Sequence, residues 1–195
     1  DVSDDVKANI DSAIAKLGVE VVNIDSSVIA ASRPAWNILM SAELCNNVSR
    51  YDGVKYGYRT DSPQSYDELI KKSSSEGFGT EVKRRILLGT YALSSGYYDA
   101  YYKKALAVRQ QCRLEHDGIF EKCDVMLTPT SPSVAYKCNE NVDDPVKMYL
   151  ADICTVTANI AGIPAISVPC STDSKGMPIG FSLSAKRFDD AKLIQ

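Results

Sequence analysis

The stretch from Glu76 to Tyr102 reads EGFGTEVKRRILLGTYALSSGYYDAYY, and its pattern decides how this part of the chain folds. Small and apolar residues recur at helical spacing, at Val82, Ile86, Gly89 and Leu93. This spacing predicts a helix with one buried stripe. Small, aromatic and basic residues fill positions where a plain surface helix would carry Glu, Lys and Ala. We therefore predict that this helix lines or borders a binding site.

Helices and strands alternate on either side of this segment. Further helices are predicted at Asp4–Leu17, Pro34–Asn47, Ser65–Ser74, Asp99–Lys122 and Val146–Ile160. Strands are predicted at Glu20–Ile24, Asp124–Thr128, Ala165–Pro169 and Ile179–Ser184. Helices interspersed with short β-branched runs are typical of α/β proteins. No internal repeat or low-complexity tract interrupts the pattern, so residues 1–195 are predicted to form a single α/β unit.

Several of these boundaries depend on local signals. Gly18 is placed to end the first helix, and Ser65 followed by Glu68 is a capping-box signature. Tyr101 is expected on the inward face of the Asp99–Lys122 helix.

The two ends of the sequence carry a further signal. The first residue is not methionine, and the last seven residues have the pattern of a helix that has just begun. We expect the sequence to be a piece of a longer polypeptide.

Composition and charge exclude several classes of function. The 195 residues are 45% hydrophobic and 24% charged, which is ordinary for a globular protein. The net charge is -3, whereas nucleic-acid binders need clustered positive charge to displace phosphate counterions. A dominant nucleic-acid surface is therefore excluded. No apolar run approaches the roughly 18 residues of a membrane span, so no membrane contact is predicted.

Metal and hydrolytic centres are also not supported by the residues present. The six cysteines are scattered without CxxC pairs, and His116 is the only histidine. The sequence offers few grouped ligands for a zinc ion. Reduced thiols in a cytoplasmic protein are the simpler interpretation of the cysteines. His116 is expected on a charged helix surface, so it does not suggest a Ser-His-Asp or Cys-His centre. No GxSxG, SxxK, P-loop or GxGxxG motif is present.

Asp152 and Arg85 are the two charged residues with a possible role in ligand binding. Helical spacing places Asp152 beside an apolar stripe, where a carboxylate must be paired or hydrogen-bonded. Arg85 follows Glu81 by four residues, so a helix-surface ion pair of about 0.3–0.5 kcal/mol accounts for it. Its guanidinium also suits a bidentate grip on a substrate carboxylate. Structural pairing and ligand binding both remain open for these two residues, and a partly exposed edge position is a third alternative for Asp152.

Trp36 is the only tryptophan in the chain. A single tryptophan is most often buried in a core or an interface, because its ring carries so much apolar area. The tyrosines between Tyr51 and Tyr102 either line a pocket or pack an aromatic corner. Without further information, the residues support an α/β domain with an anion-binding pocket.

Six segments together resemble one family. They are SRYDGVKYG from Ser49, EGFGTEVKRRILLGTYALSSGYYDAYYKKA from Glu76, DVMLTPTSP from Asp124, DDPVKMYLADI from Asp143, NIAGIPAISVPC from Asn159 and GMPIGFSLSA from Gly176. They resemble the A subunits of glutamyl-tRNA(Gln) amidotransferases, within the amidase-signature superfamily. The resemblance covers nearly the whole chain in order. It implies the C-terminal part of the amidase fold, an α/β arrangement with a mixed β-sheet flanked by α-helices.

The resemblance also implies roles for three residues. Arg85 matches the family arginine that holds the α-carboxylate of glutamine, and Asp152 matches the acid that pairs with the α-ammonium group. Trp36 aligns with an aromatic substrate contact that is usually a tyrosine, so here the phenolic hydroxyl is missing. No catalytic residue is assigned, because the family's Ser-cis-Ser-Lys triad lies in an N-terminal half that this sequence does not contain.

At the level of function, the resemblance implies the glutaminase component of a tRNA-dependent amidotransferase, a ligase of protein biosynthesis. Ammonia from glutamine would convert Glu-tRNA(Gln) to Gln-tRNA(Gln) in a complex with the B and C subunits. The tRNA, ATP and magnesium would be held mainly by a partner subunit, with no cofactor in this chain. Two alternatives remain: another amidase-signature amide hydrolase, or, for these residues alone, an inactive piece that supplies a subunit interface.

Overall fold

A computed structural model describes residues 2–138 and 149–194 of the chain. Spatial contacts divide the chain into two compact units. We call Asp1–Arg33 with Val108–Gln195 the sheet unit, and Pro34–Ala107 the helical unit. The α/β class predicted from the sequence is confirmed, and the single α/β unit stays a prediction.

Seven α-helices, one π-helix and three strands lie wholly within the described residues. The helices are α1 (Asp4–Leu17), α2 (Ser27–Val48), α3 (Tyr66–Gly77), α4 (Thr80–Leu93), α5 (Lys104–Ile119), α6 (Val156–Ala161) and α7 (Asp190–Ile194). The π-helix covers Tyr98–Lys103, directly before α5. The strands are β1 (Met126–Pro129), β2 (Ala165–Thr172) and β3 (Pro178–Ser184).

The three strands form one antiparallel sheet in the order β1-β3-β2. The resemblance implies a mixed sheet, with parallel and antiparallel strands. The strands in the described residues are all antiparallel. β2 and β3 are joined by a turn around Gly176. There Asp173 Oδ1 accepts hydrogen bonds from the backbone N–H groups of Lys175 and Met177, both at 2.8 Å. Three of the four predicted strands are thus confirmed, with small shifts at their ends.

Helix α1 packs one face on this sheet. Val6 and Ile10 are buried in one cluster with Ile179 and Phe181 of β3. At the end of α1, Gly18 adopts a left-handed backbone with φ of 64°. That conformation favours a residue without a Cβ, as the sequence predicts.

The predicted strand Glu20–Ile24 is wrong. These residues have no regular secondary structure, and Val21 and Val22 are 55% and 48% exposed. A β-branched run becomes a strand when it can pair and bury one face against a neighbour. Within the described ranges, this run pairs with no strand of the sheet.

The predicted start of α2 at Pro34 is also wrong, since the helix begins at Ser27. Ser26 provides a cap, because its Oγ accepts a hydrogen bond from the backbone N–H of Ile29 at 3.4 Å. Pro34 lies inside the helix, where its missing N–H removes the bond to the carbonyl of Ala30. The boundary between the two units falls at this proline.

The Ser65 cap of α3 is confirmed, while the Glu68 carboxylate binds one residue before the position that a capping box requires. Ser65 Oγ accepts a hydrogen bond from the Glu68 backbone N–H at 3.1 Å, and Glu68 Oε2 accepts one from Gln64 N–H at 2.7 Å. The Ser49–Thr60 segment is a loop. It is tied to α3 by the Thr60 N–H, which donates to Ser73 Oγ at 3.1 Å.

The long helix predicted over Asp99–Lys122 has a π-helical first part. Its Tyr101 side chain is 42% exposed, which corrects the inward orientation expected from the sequence. One extra residue per turn in a π-helix rotates the side chains away from α-helical register, and this explains the error. Tyr101 instead joins an exposed cluster with Tyr91 and Tyr97. The rings of Tyr91 and Tyr97 stack on each other, with their centroids 4.2 Å apart.

His116 of α5 is fully buried, which corrects the predicted charged surface position. Cys112 and Ile119 are buried on the same face of the helix. The His116 Nδ1 lies 2.6 Å from the carbonyl oxygen of Cys112, one turn earlier. The Nε2 has no hydrogen-bond partner among the described residues.

Candidate functional site

The Glu76–Tyr102 segment, which we predict to line or border a binding site, is centred on helix α4. The helix begins after Gly79, and Gly89 and Ala92 are its buried residues. Val82, Ile86 and Leu93 are half-buried on the same stripe. The stripe predicted from the helical spacing is therefore confirmed, and it fixes which side of α4 faces the rest of the helical unit.

Arg85 lies beside this stripe with 26% of its side chain exposed. Its Nε donates to Glu81 Oε1 at 2.8 Å, which confirms the ion pair predicted from the spacing of four residues. Glu81 also binds Arg84, through its other carboxylate oxygen. One glutamate thus anchors two neighbouring arginines, of which Arg84 is the more exposed.

Helix α2 supplies the second side of this site. Arg85 Nη1 lies 3.6 Å from the Met40 sulfur atom of α2. Trp36 precedes Met40 by one helical turn and is half-buried. The structure thus brings Arg85 to the part of α2 that carries Trp36. The sequence pattern does not predict this proximity.

Asp152 lies in the sheet unit, in a turn before α6. The helix predicted over Val146–Ile160 is interrupted here: residues 146–148 lie outside the described residues, 149–150 are helical, 151–155 form turns, and α6 begins at Val156. Asp152 is exposed, which agrees with an exposed edge position and not with a buried carboxylate that must be paired. Its backbone carbonyl accepts hydrogen bonds from Thr155 N–H at 3.1 Å and Val156 N–H at 3.2 Å. The joint action of Asp152 and Arg85 on one ligand stays a prediction.

A cavity of about 390 Å³ opens on the face of the sheet that carries Ser182. Its walls are strand residues of the sheet together with residues around α6. They include Met126, Thr128, Cys154, Thr155, Ala165, Ser167, Ser182 and Ser184. Two cross-strand rows supply the strand residues, Met126–Ser184–Ala165 and Thr128–Ser182–Ser167.

Hydroxyl groups dominate this cavity. Ser182 Oγ lies 2.9 Å from Thr130 Oγ1 and 3.3 Å from Ser167 Oγ. Burial raises the pKa of the Cys154 thiol, which therefore stays protonated at neutral pH. We did not predict this face from the sequence, although the alternation in Phe181-Ser182-Leu183-Ser184 is the signal that marks it.

No metal-binding cluster is formed by the described residues. Across 2–138 and 149–194, no three His, Cys, Asp or Glu side chains are grouped so that they could hold an ion. Over the same ranges, no helix combines the length and the apolar character that crossing a membrane requires.

Comparison with known families gives one match over nearly the whole chain. The family model described as Amidase matches residues 1–194. The A subunit of glutamyl-tRNA(Gln) amidotransferase from Caldanaerobacter subterraneus subsp. tengcongensis is 48% identical over 99% of this chain. Its counterpart from Brevibacillus brevis is 56% identical over 83% of the chain. The chain spans only 40% and 33% of the length of these two relatives.

Solved structures show the same similarity. The A subunit of glutamyl-tRNA(Gln) amidotransferase from Thermotoga maritima matches with a TM-score of 0.61 and 32% identity. The match covers 98% of this chain and 37% of that one. Allophanate hydrolase of Kluyveromyces lactis matches with a TM-score of 0.71 over 98% of this chain and 28% of its own, at 20% identity. At that identity the second match supports the fold alone.

Proposed function

The chain belongs to the amidase family, and on that premise we propose that it is part of the A subunit of a glutamyl-tRNA(Gln) amidotransferase. The observation that carries this proposal is the 48% identity to such a protein over 99% of the chain. The structural likeness to the Thermotoga maritima protein, at 32% identity, supports the same assignment.

The proposed activity of the parent subunit is the release of ammonia from glutamine. The nucleophile would be a serine of the Ser-cis-Ser-Lys triad, in a part of the subunit outside this sequence. A partner subunit would use the ammonia, with ATP and magnesium, to convert Glu-tRNA(Gln) to Gln-tRNA(Gln). The B and C subunits are the proposed partners in a cytoplasmic complex, and the tRNA would be held mainly by a partner.

This chain's own contribution would be recognition of the free amino acid. A free amino acid presents one carboxylate and one ammonium group, so a fixed cation and a fixed anion distinguish it from a peptide. Arg85 is proposed as the cation, because a guanidinium offers five N–H donors and matches a carboxylate bidentately. The ion pair with Glu81 holds it at Nε, and Met40 contacts it at Nη1.

Asp152 is proposed as the anion and Trp36 as the aromatic contact. The exposed carboxylate of Asp152 is accessible to an ammonium group, and its backbone bonds are independent of that role. Trp36 offers an apolar ring one turn from Met40, without the hydroxyl that a tyrosine would bring.

The test is glutamine hydrolysis by the complete subunit in its complex, with Arg85 replaced by alanine. Hydrogen bonds to charged groups contribute about 1.5–3 kcal/mol, so the KM for glutamine is expected to rise roughly 10- to 100-fold. Arg84→Ala is the matched control, because Arg84 shares Glu81 but lies further in solvent. An unchanged KM in Arg85→Ala, or an equal rise in both variants, would show that the assignment is wrong.

A further inference from the structure

Helices α2 and α4 lie in close contact at Gly89. A Cβ added to Gly89 would overlap the backbone carbonyl of Ser41, at 2.6 Å from its carbon atom and 3.0 Å from Cys45 Sγ. Ser41 is buried and 1% exposed, so this contact lies inside the helical unit. Only glycine permits the two backbones to lie this close.

The obstacle at Gly89 is backbone and not a flexible side chain. Ser41 therefore cannot relieve the overlap by changing rotamer, and packed helices respond to added volume by shifting. Restoring an ordinary contact requires α4 to withdraw from α2 by about 1 Å. The separation of the two helices is set by the absence of one methyl group.

The same helix crossing holds Arg85. Arg85 precedes Gly89 by one turn on α4, and Met40 is the neighbour of Ser41 on α2. The 3.6 Å contact between Arg85 Nη1 and Met40 Sδ is therefore made one turn away from the glycine contact. A shift of α4 at position 89 displaces the guanidinium from Met40, and from the part of α2 that carries Trp36.

We propose that Gly89 is a positioning residue for substrate binding: it sets the depth of α4 against α2 and so places the Arg85 guanidinium. This inference rests on the proposed role of Arg85 as the glutamine carboxylate clamp. A displacement of about 1 Å at a positioning element reduces an enzyme's efficiency by up to about 10²-fold, so a large effect is expected without any change in the clamp itself.

The experiment measures KM and kcat of the complete subunit in its complex for Gly89→Ala, Arg85→Ala and the double variant. Two substrates are compared, glutamine and its α-carboxamide, which lacks the carboxylate that Arg85 would bind. Gly89→Ala is expected to raise the KM for glutamine roughly tenfold, to change kcat by less than about threefold and to leave the KM for the carboxamide unchanged. In the Arg85→Ala background it should cause no further rise, because coupled residues are not additive.

Gly118→Ala is the matched control. Gly118 is also helical, in α5, but a Cβ there would meet nothing within 4 Å. It should leave both KM values unchanged. If Gly89→Ala does not fold, Cys45→Leu adds volume at the same crossing. Because a side chain can yield where backbone cannot, a smaller but equally selective rise in KM is expected.

The outcomes separate this inference from the function it rests on. If Arg85→Ala raises the KM for glutamine but Gly89→Ala and Cys45→Leu do not, the positioning role is wrong and the clamp stands. A rise of equal size for both substrates, or an additive rise in the double variant, overturns the positioning role in favour of a general packing effect. If Arg85→Ala has no effect on the KM, the proposed clamp fails and the positioning role fails with it.

Discussion

Replacing Asp152 by asparagine separates the two roles that this residue could have. The substitution keeps the shape of the side chain and removes its negative charge. The structure assigns the folding contribution of Asp152 to its backbone carbonyl, which accepts from Thr155 and Val156 and is unaffected by any change of side chain. Its carboxylate is exposed and accepts no hydrogen bond within the described residues.

These contacts determine the expected magnitudes. Surface substitutions without structural partners change the free energy of unfolding by less than about 0.5 kcal/mol, so the Asp152→Asn variant should be as stable as the parent. Replacing a charge-assisted hydrogen bond to the ligand ammonium by a neutral one costs about 1–1.5 kcal/mol. The KM for glutamine should therefore rise roughly five- to twelvefold.

The assay combines steady-state ammonia release by the complete subunit with urea unfolding of the same preparation. Asp11→Asn, at another exposed aspartate, is the control and should change neither quantity. A loss of more than about 1 kcal/mol in unfolding free energy with an unchanged KM would refute the reasoning. It would show that the carboxylate stabilises the fold and does not bind the substrate.

Two further predictions concern stability and ionisation. Phe181→Ala should lower the free energy of unfolding by about 3–5 kcal/mol, because this side chain is buried against α1. The adjacent Ser182→Ala, on the cavity face, should cost only about 1 kcal/mol in the same denaturation assay, and equal losses would contradict the two-faced sheet. The hydrogen bond with Tyr97 raises the pKa of Tyr91 to about 12, so the stability it contributes is complete below pH 10 and lost as the pH rises towards 12. Tyr97→Phe should lower that pKa towards 10 in an ultraviolet titration, with Tyr91→Phe identifying the transition, and an unchanged midpoint would rule out this cause.

Features that depend on one or two helical turns could be predicted from the sequence. The end of α1 at Gly18, the cap at Ser65 and the pairing of Glu81 with Arg85 are all confirmed. Each is formed by residues at most four positions apart, so local chemistry decides it. The Arg85 contact with Met40 joins positions 45 residues apart, and no local pattern reveals it.

Features that depend on distant partners were predicted wrongly or missed. The run from Glu20 to Ile24 has strand composition, but pairing requires a neighbour that composition does not indicate. His116 has charged sequence neighbours, yet its helix face is the one that buries Cys112. That error was avoidable, because positions four apart share a helix face.

The order of the strands also has a consequence for synthesis on the ribosome. β3 is the middle strand, yet it is the last of the three to be made, so neither β1 nor β2 has its pairing partner until then. The apolar face of α1 is made about 170 residues before Phe181, against which it packs. At roughly 5–20 residues per second, Val6 and Ile10 wait about 10–35 s for their buried partners in β3. During this interval α1 lacks the central strand on which it packs, so its apolar face is open to aggregation.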